Sequence, residues 1–96
     1  WEEPRIVRRK DGSWLVDATT PVADVFTLMD LPVPEGGFTT LAGYVLARLG
    51  SIPAIADSFV DRGWRFEVVD MDGNRVDRVL IQRAAPGDVD HTGDEE

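Results

Sequence analysis

The sequence predicts an α+β domain in which two helices pack on one face of a mainly antiparallel sheet. Three observations predict it. A length of 96 residues is enough for one small core. The hydrophobic period changes along the chain in the order β-β-α-α-β-β-β, and glycine-containing turns separate the strand-like runs. We therefore expect one folded unit and no second domain.

The folded unit begins with a predicted β-hairpin. Residues 5–9 (RIVRR) and residues 14–17 (WLVD) are strand-like runs. The turn between them, residues 10–13 (KDGS), contains an Asp-Gly pair, a strong short-range signal for a hairpin.

The first helix is predicted to start at Thr19-Thr20-Pro21. A threonine hydroxyl would cap it, and Pro21 would take the first helical position, where its missing N–H costs nothing. The helix should end before Pro32, because the residue before a proline disfavours helical geometry. Its apolar positions form a single stripe that should face the core: Val22, Val25, Phe26 and Met29.

A second helix follows the loop of residues 32–38 (PVPEGGF). Thr39 or Thr40 can cap it, and Gly50 is placed to end it. A glycine inside a helix costs roughly 1 kcal/mol against alanine, so Gly43 predicts the close approach of another backbone. The apolar face of this helix comprises Leu41, Tyr44, Val45 and Leu49.

Three strands complete the predicted sheet: residues 58–61, a strand starting at Trp64, and residues 75–83. Trp64, Phe66 and Val68 alternate with charged residues, and the tryptophans at 14 and 64 are expected in the core. In the last strand Val79 and Ile81 share one face, while Val76 and Leu80 share the other. Either both faces are covered, or a β-bulge lies near Asp77 and Arg78.

Composition divides the chain into three segments. Residues 1–4 are interpreted as the flank of an excised fragment, because the chain starts at Trp1 without a Met. Residues 5–83 form the predicted domain. Residues 84–96 carry five acidic and no basic residues with little apolar surface, so they are predicted to be a disordered acidic tail.

Charge and cysteine content exclude several classes of protein. The net charge of -8 opposes binding to nucleic acid, whose affinity depends on neutralising phosphates with Lys and Arg. The chain has no Cys, which excludes disulfides, zinc bound by Cys and a Cys nucleophile. No apolar run approaches the roughly 18–20 residues of a membrane helix, so we expect no membrane insertion by this segment.

The acidic cluster Glu67, Asp70, Asp72 and Asp77 is the first candidate for chemistry. A calcium loop starting at Asp70 would need glycine at its sixth position and Glu at its twelfth, but the glycine is fourth and the twelfth residue is Ile81. We therefore predict a polar hairpin turn and no metal site. Nothing in the sequence places one of these carboxylates in an apolar pocket, so acid-base catalysis is not expected either.

Other catalytic patterns are also missing from the sequence. The single histidine, His91, falls in the predicted tail, which leaves a Ser-His-Asp triad without a fixed base. Gly36-Gly37 precedes a helix without a following lysine, and no glycine-rich phosphate loop occurs. The sequence therefore predicts no catalytic residues.

A basic patch at Arg5, Arg8 and Arg9 is the one predicted contact surface. With Lys10 beside it, this patch could attract an anionic ligand, an acidic partner or a lipid surface. The alternative is a solvated strand edge whose charges discourage pairing with other sheets.

The chain carries, in order, the runs DGSWLVD (residues 11–17), TLAG (40–43), LGSIP (49–53), FEVV (66–69) and DGNR (72–75). Together these motifs resemble the transporter-associated domain of the CorC/HlyC family. They run from residue 5 to residue 83 without an obvious gap, and the Thr-Leu-Ala-Gly to Leu-Gly-x-Ile-Pro stretch is the most specific. The sequence departs from the family at Ala56, where the family carries glycine after the Ile-Pro turn. The structural motif residues are Thr40, Leu41, Ala42, Gly43, Gly50, Pro53 and Gly73.

The resemblance implies a fold related to the FAD-binding domains of the PCMH oxidoreductase group. It also implies a place at the C-terminus of membrane proteins that carry a pair of CBS domains and are associated with magnesium and cobalt efflux or labelled hemolysins. The implied role is a non-catalytic accessory module on the cytoplasmic side of the membrane. Its expected partners are the CBS pair and the membrane domain of the parent protein, with a homodimer as a further option.

Binding of FAD does not follow from the resemblance, because a fold does not transfer its function. The alternative hypothesis is a small-ligand sensor that binds a nucleotide or flavin in the crevice between helices and sheet. No cofactor is expected under the first hypothesis.

Overall fold

The computed structural model describes residues 5–50 and 52–88. Within them it has five strands and two helices in the predicted order. The predicted α+β class, with two helices and an antiparallel sheet, is confirmed. The elements are β1 (Ile6–Arg8), β2 (Trp14–Asp17), α1 (Val22–Leu28), α2 (Leu41–Leu49), β3 (Ser58–Asp61), β4 (Trp64–Asp72) and β5 (Arg75–Arg83).

The five strands form one sheet in the order β1-β2-β5-β4-β3, and each neighbouring pair is antiparallel. The predicted hairpin joins β1 to β2. In its turn the Asp11 carboxylate accepts hydrogen bonds from the Ser13 backbone N–H at 2.9 Å and from the Ser13 hydroxyl at 2.6 Å. This side-chain bonding to nearby backbone is what makes Asp a frequent turn residue.

The start of α1 differs from the prediction. Pro21 is the N-cap residue instead of the first helical residue, and no side chain caps the helix. Thr19 donates its hydroxyl to Asp17, and Thr20 is buried, so neither threonine serves as the cap. The backbone N–H of Val22 instead donates to a carbonyl in the segment before α2, at 2.9 Å. A contact between distant segments has replaced the local cap.

A bulge lies in the β4–β5 hairpin, close to the position predicted for it. The register shifts on both sides of Asp70, and Asp77 has no Cα partner in the ladder. As a result Val76 joins Val79 and Ile81 in the buried core. In a regular strand Val76 and Val79 would lie on opposite faces. The bulge between them places both in the core.

The core lies where the two helices meet the sheet. The predicted stripes of both helices enter it, while Trp14 and Trp64 are half-buried at its margin. The aromatic centre joins Phe59 and Phe66, stacked at 5.0 Å, with Tyr44 edge-on to both. The buried apolar residues are Val16, Ala18, Val22, Val25, Phe26, Leu41, Tyr44, Val45, Phe59, Phe66, Val68, Val76, Val79 and Ile81.

After β5 the chain continues through residues 84–88. Ala84 donates its backbone N–H to the Gly63 carbonyl at 2.9 Å, and the N–H of Ala85 donates to the Asp88 carboxylate at 2.7 Å. The predictions for residues 1–4 and for the rest of the tail, including His91, lie outside the described residues. Among the helices that the structure describes, none is long and apolar enough to cross a membrane.

Candidate functional site

The N-terminus of α2, where the most specific sequence motif lies, is held by hydrogen bonds. The Thr40 hydroxyl accepts from the Gly43 N–H at 3.2 Å and so caps the helix as predicted. The N–H groups of Leu41 and Ala42 donate to carbonyls of residues 18–20 at 2.9 Å. The backbone N–H groups of the first turn have no acceptor within the helix, and here they tie α2 to the segment between β2 and α1.

Gly43 lies against a different group from the one predicted. A Cβ at this position would lie 3.2 Å from the Cβ of Phe38 and 4.0 Å from its Cα. The close neighbour is thus the root of a side chain in the loop before α2, and not the backbone of another helix or strand. A larger residue at position 43 is still disfavoured. The Cβ of Phe38 is fixed to the backbone and cannot move aside by a change of rotamer.

Two other motif residues, both glycines, have conformational roles. Gly50 ends α2 in the left-handed conformation with φ 77°, as predicted. Gly73 has φ 64° at the first position of the two-residue β4–β5 turn, where a type II′ turn favours glycine. Pro53, also a motif residue, is buried. Ser51, between Gly50 and Pro53, lies outside the described residues.

A cavity of about 370 Å³ opens between the start of α2 and the β4–β5 hairpin. Four of the motif residues line it: Thr40, Ala42, Gly43 and Pro53. Its volume falls within the roughly 300–1,000 Å³ range of ligand pockets. The other lining residues are Ala18, Thr19, Leu46, Asp72, Asn74, Arg75, Val76 and Asp77.

The hairpin wall of this cavity is acidic. Desolvation and then the neighbouring carboxylate of Asp70 raise the pKa of Asp77, and the charges of Asp17 and Asp72 add to the effect. A hydrogen bond from the Thr19 backbone N–H lowers the pKa of Asp17. The wall carries two carboxylates, Asp72 and Asp77, and one arginine, Arg75. Its formal charge is therefore negative, which favours a cationic neighbour over an anionic one.

The structure divides the predicted acidic cluster. Glu67 alternates with the core residues of β4 and pairs with Arg65, whose Nη1 lies 2.6 Å from Oε1. Asp72 pairs with Arg75 at 3.4 Å in an exposed contact. Within the cluster, Asp70 forms a hydrogen bond with Asp77, and Asp72 adds a smaller charge effect on Asp77. Among the described residues no group of three His, Cys, Asp or Glu side chains could hold a metal ion.

The predicted basic patch is also divided. Hydrogen bonds from Ser13 and Thr19 lower the pKa of Asp11 and Asp17, and the charges of Arg9 and Arg5, respectively, add to the effect. Arg8 instead lies over an indole ring, with its Cζ 4.5 Å from the ring centroid. Arg8 thus has a different partner from Arg5 and Arg9. It lines a cleft together with Arg83, a residue that the sequence analysis did not single out.

A second polar cluster joins α2 to β3. The Tyr44 hydroxyl donates to Asp61 Oδ2, while Arg48 and Arg62 lie 3.9 and 3.8 Å from Asp61 Oδ1. Burial, and then the hydrogen bond to Asp61, raise the pKa of Tyr44. Sequence analysis placed Tyr44 in the core but gave no sign of this pair, because α2 and β3 meet only in the folded chain.

Comparison with known proteins gives one consistent family. The CorC_HlyC family, described as a transporter associated domain, matches residues 7–85. A polyamine export protein of Salmonella typhimurium is 41% identical over 83 residues, which cover 84% of this chain and 19% of that protein. A UPF0053 protein of Synechocystis is 42% identical over 86 residues, which cover 85% of this chain and 19% of that protein. The chain thus spans about a fifth of the curated relatives it matches.

Solved structures agree with the same family. The transporter associated domain CorC_HlyC from a Xylella fastidiosa hemolysin, in complex with Mg²⁺ and Mn²⁺, superimposes with a TM-score of 0.76 at 38% identity. The match covers 85% of this chain and 100% of that chain. The fold and the family motif therefore coincide over the same part of the sequence.

Proposed function

The chain belongs to the CorC_HlyC family of transporter associated domains, and on that basis we propose that it is a non-catalytic accessory module of a longer cation-transport protein. The observation that carries the proposal is the 41% identity to a polyamine export protein. The module would lie on the cytoplasmic side of the membrane and act with a CBS pair and a membrane domain. Its role would be to modulate transport or assembly.

The transported cation belongs to one of two candidate classes, a divalent metal ion or a polyamine. The family resemblance implies magnesium or cobalt, and the name of the Salmonella relative favours a polyamine. These candidates share a positive charge. The acidic wall formed by Asp72 and Asp77 would attract such a cation. It would equally attract a cationic segment of the transporter to which the domain belongs.

A chimera tests this proposal. The matching segment of the Salmonella polyamine export protein is deleted or replaced by this chain, and cells are challenged with spermidine, Mg²⁺ or Co²⁺. We expect the deletion to impair tolerance of the transported cation and the chimera to restore it. A chimera carrying Leu41→Asp is the control, because a charge at this fully buried position should unfold the module. Unchanged tolerance after deletion would contradict the accessory role.

The small-ligand sensor remains a second candidate, favoured by the cavity beside α2. Its carboxylates oppose a phosphate group there, so a cationic or neutral ligand fits this cavity better than a nucleotide or flavin. Thermal-shift titration with spermidine, Mg²⁺, Co²⁺, FAD, AMP and ATP compares these classes, because a ligand of the folded state raises its stability. A saturable shift that survives raised salt identifies the ligand, and a shift with FAD or ATP alone would contradict the assignment to a cation.

A further inference from the structure

Two arginines at one end of the sheet are each held against a tryptophan of the neighbouring strand. Arg8 of β1 is opposite Trp14 of β2, and its Cζ lies 4.5 Å from the ring centroid. Arg83 of β5 is opposite Trp64 of β4, with a corresponding distance of 4.7 Å. A guanidinium group stacked on an aromatic face has already lost much of its rotational freedom. Both cations are therefore partly oriented before any ligand arrives.

Both arginines line one cleft of about 370 Å³. Continuing the β2–β5 register places Gly12 of the β1–β2 turn next to Arg83. A Cβ on Gly12 would lie 3.9 Å from Nη2 of Arg8, so the Arg8 guanidinium reaches the same turn. Gly12 has φ 89° and no side chain to fill the space between them. The two positive groups thus converge on an opening that the backbone leaves clear.

The charges of the cleft favour an anion. Within residues 5–50 and 52–88 neither Arg8 nor Arg83 forms an ion pair. The one carboxylate on the wall, Asp11, is engaged through Oδ1 by the N–H and hydroxyl of Ser13. It lowers the positive charge of the cleft but does not neutralise both arginines.

We propose that this cleft binds the phosphate group of a phosphomonoester. A phosphomonoester carries close to two negative charges at neutral pH, which match two guanidinium groups. The planar fork of each arginine suits bidentate contacts to phosphate oxygens. The ring of Trp64, which also lines the cleft, offers an apolar wall for the organic part of the ligand. This site is separate from the acidic cavity beside α2, and it goes beyond the proposed accessory role.

The phosphate could belong to a soluble metabolite or to a lipid headgroup, and the experiment separates the two sources. Calorimetric titration of the 96-residue chain would use inorganic phosphate, glycerol 3-phosphate and succinate. Sedimentation would use phosphatidylcholine vesicles with and without phosphatidic acid, whose headgroup is a phosphomonoester. We expect saturable binding of glycerol 3-phosphate or of phosphatidic acid vesicles, and the probe that binds identifies the source. Binding of neither, or equal binding of succinate, would overturn the assignment.

Substitutions connect the binding to the cleft. Arg8→Gln and Arg83→Gln should each weaken binding by tenfold or more, and Arg83→Lys should recover little because it keeps the charge but loses the fork. Arg75→Gln is the matched control, since it removes the same charge from an exposed residue at the opposite end of β5 from Arg83. Equal weakening by the control would show a non-specific charge effect and refute the site. Urea unfolding of each variant, and the tryptophan emission on titration, separate lost binding from lost folding.

Discussion

The turn before β3 contains a backbone conformation that its side chain disfavours. Ala56 has φ 82°, at the third position of a turn closed by a hydrogen bond from the Asp57 N–H to the Ala54 carbonyl at 3.0 Å. A turn with positive φ at this position normally carries glycine. The residue cannot relax, because the N–H of Ala56 donates to the Val68 carbonyl at 2.8 Å and the N–H of Val68 donates to the Asp57 carbonyl at 2.9 Å. We predict that Ala56→Gly stabilises the domain.

The magnitude follows from two opposing terms. A non-glycine residue in the left-handed region costs about 1–2 kcal/mol, which the substitution removes. Glycine makes the unfolded chain more flexible, which costs about 0.4–1 kcal/mol. The two ranges leave a net gain of up to about 1.6 kcal/mol. The gain at their midpoints, about 0.8 kcal/mol, raises the Tm of a domain of this size by about 3–6 °C. Ala56 is exposed, so no packing is lost.

Thermal unfolding and urea titration measure this gain, with Ala54→Gly as the matched control. Ala54 lies in the same turn and is also exposed, but its φ is not positive. Only the flexibility cost applies there, so Ala54→Gly should destabilise the domain by about 0.4–1 kcal/mol. The reasoning is refuted if Ala56→Gly lowers Tm, or if both substitutions change it in the same direction.

Three further predictions concern the packing and charges of α2 and the hairpin. Gly43→Leu should lower stability in urea by about 1 kcal/mol, because overpacking against Phe38 costs about 1–3 kcal/mol and helix propensity recovers a little less than 1 kcal/mol. Asp77→Asn should raise Tm at neutral pH, because the raised pKa of Asp77 means that its ionised form destabilises the folded state. That gain should vanish as the pH falls below the titration of the carboxyl group. Tyr44→Phe should cost about 1 kcal/mol in chemical unfolding, because it removes the hydrogen bond to the partly exposed Asp61 carboxylate but keeps the aromatic contacts.

Each of these has a control that isolates its cause. Ala47→Leu adds the same side chain to an exposed position of α2, so a loss as large as that of Gly43→Leu would contradict the close contact. Glu35→Gln removes one negative charge from an exposed loop, and a matching rise in Tm would assign the Asp77 effect to net charge alone. A double-mutant cycle with Asp61→Asn gives the coupling to Tyr44, and a coupling of zero would remove the proposed pair.

Local patterns in the sequence were sufficient to predict the secondary-structure elements. The Asp-Gly turn, the two apolar helical stripes, the Thr40 cap and Gly50 each express a short-range rule of backbone geometry or periodicity, and all appear in the structure. The family motif likewise identified the residues at the start of α2. The departure at Ala56 was visible in the sequence as well, although its positive φ was not.

Contacts between residues that are distant in the sequence depend on the folded arrangement of the whole chain. Pro21 became a cap residue because α1 is tied to the strand-like segment before α2, with which Pro21 itself forms a β-bridge. The pKa of Asp77 is raised by desolvation and by Asp70, which lies across the bulge in the β4–β5 ladder. Arg83 lines the same cleft as Arg8 because the sheet order places only β2 between β1 and β5. Strand order and register depend on burying the whole core at once, and no local window of the sequence contains that information.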